Sequence, residues 1–287
     1  MLIANNGRAM SSPARVFDSE LVLHRSVAPD WPWMQPQRVF LRLGTCIVLL
    51  LGCYAATVAV RLTTGHERLH GLVRLFDLDG EANIPTFFSV FQFNVAAGLL
   101  WIIGSRARCC ADRYARHWLA LACIFVFLGL DELAQIHELF SDPLRASLHV
   151  DGALRYAWVI PYGCLVLAVA AAYLNFLSHL PDRTRWLMVI SAAIYVGGAV
   201  GLELYGGYLE TQLGTEATGT SVAYLIEVFF EEGMELLGIA LFIFALLEYI
   251  GTSMGWVQIN VGSGPTAEPI QELTAMQTLH LLVKRWL

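Results

Sequence analysis

Apolar residues in this chain come in long unbroken runs, not in the short alternations of a soluble fold. Six runs stand out: Phe40 to Leu62, a second that opens at Asn83-Ile84-Pro85 and closes near Ser105, His117 to Phe140, Tyr156 to His179, Trp186 to Tyr205, and Ser221 to Ile250. Each reaches the length that a helix needs to cross about 30 Å of hydrocarbon at about 1.5 Å per residue. Pro85 suits a first helical turn, where its missing N–H costs nothing. The pattern predicts an all-α protein: a polytopic transmembrane helical bundle of about six spans. Acids interrupt the third and sixth spans.

The flanks differ. Residues 1–38 are polar, with scattered arginines and a Trp31-Pro32-Trp33 suited to a membrane interface. They lack a continuous apolar stretch before a small-residue cleavage site, so they are expected to be a soluble arm and not a signal peptide. Residues 39–250 form the expected transmembrane domain, and 251–287 a tail. Within the tail, Ile270, Leu273, Met276 and Leu279 to Val283 alternate with Gln271, Glu272, Gln277, His280 and Lys284. That spacing predicts an amphipathic helix that lies on the bilayer or docks on a membrane partner subunit.

Composition agrees with the bilayer as partner. The chain is 56% hydrophobic and only 15% charged, well below the roughly 25% of soluble domains, and Lys284 is its sole lysine. A formal charge of -6 does not suggest nucleic acid as a partner, and none is expected. Cys46, Cys53, Cys123 and Cys164 fall in apolar runs, and Cys109-Cys110 in a basic loop. No spacing matches a zinc site or a disulfide framework, so the first four are expected to be small buried hydrophobes and the pair exposed.

Basic residues set the expected orientation. With six crossings, one face collects Arg8, Arg15, Arg25, Arg38, Arg42, Arg106, Arg108, Arg113, Arg116, Arg183, Arg185, Lys284 and Arg285, and the other Arg61, Arg68, Arg74, Arg145 and Arg155. The positive-inside rule then places both termini in the cytoplasm. The acids fall on the opposite side. Asp131, Glu132, His137 and Glu138 belong to the outer half of the third span, Glu203 and Glu210 to the outer end of the fifth, and Glu227, Glu231, Glu232 and Glu235 to the outer half of the sixth. Glu81 and Asn83 sit at the mouth of the second. Four helices thus bring carboxylates to one depth.

At about 100° per residue, Glu227, Glu231 and Glu235 form one stripe beside Tyr224 and Gly238, with Glu232 pointing partly away. Asp131, Gln135 and Glu138 share a face, from which Glu132 and His137 diverge. Glu203 and Glu210 share a face with Gly206 and Gly207, and Gly197 and Gly201 form a small-xxx-small pair for close helix approach. A single charge at the bilayer centre costs about 2.5–3.5 kcal/mol, so these acids must face the bundle interior or a wet cavity. Like charges so close must also be protonated, paired with arginine, or neutralised by a bound cation.

Three functions follow. The first is a divalent metal site (Fe, Mn, Mg, Ca or Zn) with Asp131, Glu138, Glu203, Glu227, Glu231 and Glu235 as ligands. Glu132, His137, Tyr224 and Glu232 would be its catalytic or proton-handling groups, acting on a membrane or lipid-linked substrate. The Glu-x-x-His pairs of helical di-iron bundles are absent. The second is proton- or cation-coupled transport, for which the inner half-helices offer few polar groups beyond Ser89, Gln92 and Asn94. The third is a structural or assembly subunit whose acids pair with the five arginines on their side. Phosphate loops, a Gly-x-Ser-x-Gly elbow, haem attachment and the His boxes of membrane desaturases are all missing.

At Glu81-Ala82-Asn83-Ile84-Pro85-Thr86 and at Leu130-Asp131-Glu132-Leu133-Ala134-Gln135-Ile136-His137-Glu138, the chain resembles uncharacterised multipass membrane proteins of bacteria. Glu231-Glu232-Gly233-Met234-Glu235 fits the same likeness, which runs from the second span to the sixth. The resemblance implies a bacterial inner membrane location and no activity.

Overall fold

The computed structural model describes residues 35–65, 69–80 and 82–254. The amino-terminal arm with Trp31 and Trp33, the acid Glu81, and the tail with its expected amphipathic helix lie outside those residues. Among the described residues the fold is made by seven helices of more than two turns: α1 (Pro36–Thr64), α2 (Ile84–Cys109), α3 (Ala115–Ala134), α4 (Ile136–Leu148), α5 (Val159–His179), α6 (Asp182–Leu213) and α7 (Val222–Met254). All but α4 are long and apolar enough to cross a bilayer. Their apolar side chains point outward as well as inward: Phe87 is 74% exposed, Leu167 71% and Val48 69%. An apolar belt on this scale needs lipid around it. The chain is a multipass membrane protein with an all-α fold.

The ends of the helices follow from their caps. Gly65, at φ 69°, ends α1 in the left-handed conformation and turns its N–H back to the Arg61 carbonyl, 3.0 Å away. Asn83 starts α2: its side-chain oxygen accepts from the Thr86 N–H at 3.1 Å, and its amide donates to the carbonyls of Asp77 at 2.6 Å and Gly80 at 2.5 Å. One side chain therefore caps the helix and folds the preceding loop. The core is centred on α7, whose Leu236, Ile239, Ala240, Ile243 and Leu246 are buried against α1, α2 and α6. On α2, Phe93, Ala96, Leu100 and Ile103 repeat at helical spacing and meet Trp118 and Ala122 of α3.

Two local departures from ideal helix matter for the site. The expected third span, His117 to Phe140, is not continuous. Gln135 takes the left-handed conformation (φ 54°, ψ 39°), ending α3 and starting the separate helix α4. The Asp131 side chain supports the break by accepting from the His137 N–H at 2.9 Å, so it supplies an acceptor for the new helix's first turn. The second departure is in α6, which widens to a π-helical turn at Gly197–Leu202 before continuing from Glu203. There the two helices nearly touch. A Cβ on Gly198 would stand 2.8 Å from the Glu231 carbonyl oxygen, and one on Gly197 would stand 2.9 Å from the Met234 methyl. Gly201 meets nothing, so the close approach uses Gly197-Gly198 and not the expected Gly197/Gly201 pair. The widened turn breaks the 100° register on which that pair was placed.

Candidate functional site

A cavity of about 1340 Å³ lies among α2, α3, α5, α6 and α7. One end carries Asp79, Asp131, Glu132, His137, Glu138, Glu203, Glu231, Glu232 and Glu235, and the remainder is lined mainly by apolar side chains of α3, α5 and α6. The acid-bearing end is that of the 65–83, 135–158 and 214–221 connections.

Asp131 is the organising carboxylate of this end. It is 6% exposed and accepts three hydrogen bonds: from the His137 N–H at 2.9 Å, from His137 Nδ1 at 3.1 Å, and from the Tyr162 hydroxyl at 2.8 Å. The imidazole packs against the Trp158 ring with centroids 4.8 Å apart, and the Trp158 indole donates to Glu203 at 2.9 Å. Burial pulls the imidazole pKa down. The hydrogen bond and charge of Asp131, with Glu203 and Glu138 nearby, more than offset this and hold it above the usual histidine range. An oriented, readily charged imidazole facing a cavity is a general acid–base group in form.

The second group spans α6 and α7. The carboxyls of Glu203 and Glu231 lie within hydrogen-bonding reach of each other, and Glu231 reaches Glu227 in turn. Glu227 is 4% exposed, and no protein donor reaches either of its oxygens. A carboxylate meeting a carboxylate makes a hydrogen bond only if one of them holds a proton. Glu227 presses on the bare Cα of Gly206, where a Cβ would stand 3.0 Å from its Oε2. Glu132 and Glu235 line the cavity together with Tyr195. Among the described residues, no arginine or lysine pairs with Glu132, Glu203, Glu227, Glu231, Glu232 or Glu235. Nor do three His, Cys, Asp or Glu side chains there stand close enough to hold a metal ion as they lie.

A third network closes the mouth. Arg155 Nη2 donates to Glu210 at 2.8 Å, the Tyr156 hydroxyl donates to the same carboxylate at 2.6 Å, and Thr215 adds a third donor at 3.0 Å. Tyr156 and Tyr224 stand hydroxyl to hydroxyl at 3.4 Å, and Tyr224 donates to Asp79 at 2.9 Å. Lost hydration pushes the Asp79 carboxyl up to about 6 against the pull of Tyr224, and the negative charges of Asp77, Glu203 and Glu210 add to it. The bond to Glu210 raises the Arg155 guanidinium further, so this pair is fully charged.

Residues 41–249 match the sequence model of DUF8692, described as a domain of unknown function. The chain belongs to the DUF8692 family. No curated protein and no solved structure matches it. In this DUF8692 chain the expected site residues fall into the groups just described, with four differences. Because the helix breaks at Gln135, Asp131, Gln135 and Glu138 do not form one face, and His137, expected to diverge, folds back onto Asp131. Glu132 and Glu232, also expected to point elsewhere, line the cavity beside Glu231 and Glu235, whereas Glu227 is wedged between α6 and α7. Of the five arginines, Arg155 neutralises Glu210, Arg145 holds Asp142 at 2.8 Å, and Arg61 donates to the Gly219 carbonyl at 2.6 Å. Arg68 lies outside the described residues. Finally, Cys46, Cys123 and Cys164 are exposed on the apolar surface and Cys53 is half-buried, because their helix faces turn toward lipid.

Asp79, Tyr156, Trp158, Tyr162 and Tyr195 belong to the site and carry no sequence signal of their own. Each sits outside the acid-bearing spans or looks like ordinary membrane-helix aromatic content. A search for donors to the acids would have found the tyrosines and Trp158, whereas Asp79 is itself an acceptor, held by Tyr224.

Proposed function

We propose that this protein binds a divalent cation at the Glu203–Glu227–Glu231 group and uses it, with His137, on a membrane lipid or lipid-linked molecule held in the cavity. The observation that carries this is Glu227: a carboxylate 4% exposed, without a donor on either oxygen, in contact with a second carboxylate that contacts a third. Such a group needs a proton or a cation to be stable, because removing an uncompensated charge from water costs several kcal/mol. Fe, Mn, Mg, Ca and Zn all accept carboxylate oxygens. The ligands would close on the ion by side-chain rotation, since they are not assembled beforehand. Asp131 is committed to His137 and Tyr162, which fits an orienting role better than ligation. His137 is then the acid–base group, with Glu132, Glu232 and Tyr224 as proton-handling neighbours, while Glu235 and Glu138 extend the acidic wall.

The bias of basic residues supports a bacterial inner membrane location with both termini cytoplasmic and the acidic end outward. Transport fits less well, because the cavity beyond Tyr195 is lined almost wholly by apolar side chains. The test is elemental mass spectrometry on detergent-purified protein beside a Glu227→Gln, Glu231→Gln variant. About one equivalent of one metal in the wild type, lost in the variant, is expected. Metal-free protein after purification in metal-replete buffer would overturn the cation and leave protons to neutralise the group.

A further inference from the structure

Helix α5 is fastened at its two ends and open between them. At the acidic end Tyr162 donates to Asp131 at 2.8 Å, and at the other end Tyr173 donates to the His117 carbonyl at 2.9 Å. Phe176 is locked there too, edge-on to Trp118 with centroids 4.8 Å apart. Val159 and Phe176 are the only buried residues of the helix. In the stretch between, Val166, Val169 and Ala170 line the cavity together with Leu128 of α3 and Ala192 and Val196 of α6.

Protein interiors do not keep large apolar voids. Their walls would forgo dispersion contacts, and water gains too few partners there to fill them. The eleven steps from Tyr162 to Tyr173 rise about 16 Å at about 1.5 Å each, close to half of the roughly 30 Å hydrocarbon core and thus to one leaflet's tail. Leu165 and Leu174 line the cavity and are also 53% and 65% exposed, so the gap opens sideways to the bilayer. Its polar terminus carries Asp131–His137 and the carboxyls of Glu132, Glu232 and Glu235, which are not among the proposed cation ligands. These groups repel an anionic head and welcome a donor.

We propose that the cavity binds a single-tailed lipid, its chain lying between α3, α5, α6 and α7 and its hydroxyl or amine head donating to the carboxylates at the acidic end. This rests on the lipid-directed function above and names the substrate class of the same site. The test uses the full chain in detergent and four probes, hexadecanol, hexadecylamine, palmitate and a phosphatidate, with binding read by native mass spectrometry. The alcohol or the amine is expected to bind, and which of the two prevails fixes the head. Ala170→Trp and Ala192→Trp put bulk into the gap, where both positions are open and not packed in the core. Each should weaken binding tenfold or more, with Leu167→Trp, on the outer face, unchanged. Undiminished binding in both gap variants would overturn the tail position, and equal binding of palmitate or phosphatidate would overturn the head. Metal content measured on the same samples reports separately on the cation: loss of lipid with metal retained, or the reverse, shows which of the two proposals has failed.

Discussion

Replacing Asp131 with Asn isolates the part of the site that positions His137. The wild-type carboxylate accepts three hydrogen bonds from two residues, and hydrogen bonds to a charged group are worth about 1.5–3 kcal/mol each. Asparagine keeps one oxygen for the His137 N–H and the Tyr162 hydroxyl, but puts an NH₂ in front of His137 Nδ1. One charged bond is lost and two fall to the neutral strength of about 1 kcal/mol, a total loss of about 3 kcal/mol at the low end of that range. At about 2–4 °C per kcal/mol for a chain of this order, the melting temperature in detergent should fall by about 6–12 °C. The variant keeps the side-chain volume, so packing is not the cause.

The same substitution has a pH signature. The folded imidazole pKa is raised above the ordinary value of about 6.5. Its contribution to stability is therefore fully present below that ordinary value and is lost as pH rises through the folded midpoint. The melting difference between wild type and Asp131→Asn should be largest near pH 5.5 and shrink toward high pH. Nitrogen-15 NMR of labelled histidine should show the His137 midpoint dropping to or below the ordinary range in the variant, because burial then acts without the carboxylate. An unmoved midpoint, or a melting difference flat with pH, would refute the dyad.

Two further outcomes test the other groups. Glu227→Gln should leave the metal-free protein as stable as wild type or more so, by about 1–3 kcal/mol, since it removes an uncompensated buried charge. It should also abolish any rise in melting temperature on adding metal; a clear loss of stability without metal would mean that the Glu227 charge is already balanced. Asp79 is an acid with its pKa raised to about 6, so the native state holds its proton longer than the unfolded chain does. Its contribution favours folding below about pH 4 and is lost as pH rises through 6, so the difference in melting temperature between wild type and Asp79→Asn should change with that sign across pH 4 to 6.

The fold was legible because hydrocarbon thickness sets span length, and six apolar runs of that length have little else to be. The depth of the acids was legible for the same reason: counting along a span gives height. Azimuth was less so. A shared face for Asp131, Gln135 and Glu138 requires an unbroken helix, and the break at Gln135 turns His137 toward Asp131. Gln135 carries no glycine or proline to announce a left-handed turn; the signal was Asp131 itself, a side chain able to accept the N–H of His137 six residues on. Likewise Gly201 has the right spacing for a helix contact, yet the π-helical turn rotated it away and left Gly198 on the Glu231 carbonyl. Such turns depend on what the neighbouring helix presents, so a single sequence does not show them.

The arrangement of charge bears on whether these acids are architecture. A network that merely fixes helix register is stable when each charge has a partner, since a buried charge left alone is costly. At the mouth that rule is kept: Arg155, Tyr156 and Thr215 satisfy Glu210. From one turn further in it is broken, where Glu203, Glu227 and Glu231 crowd together without an arginine or lysine pairing with them among the described residues. The two backbone departures adjoin the acids, Gln135 following Asp131–Glu132 and Gly197–Leu202 running into Glu203, and local structure that breaks the usual rules concentrates where function demands it. A helix pair held this close by Gly198 and Gly206 also keeps the glutamates from spreading apart to relieve their repulsion. Repulsion maintained at that cost is what a site needs if a cation or a proton-donating head is to be drawn in, and a scaffold would have gained by losing it.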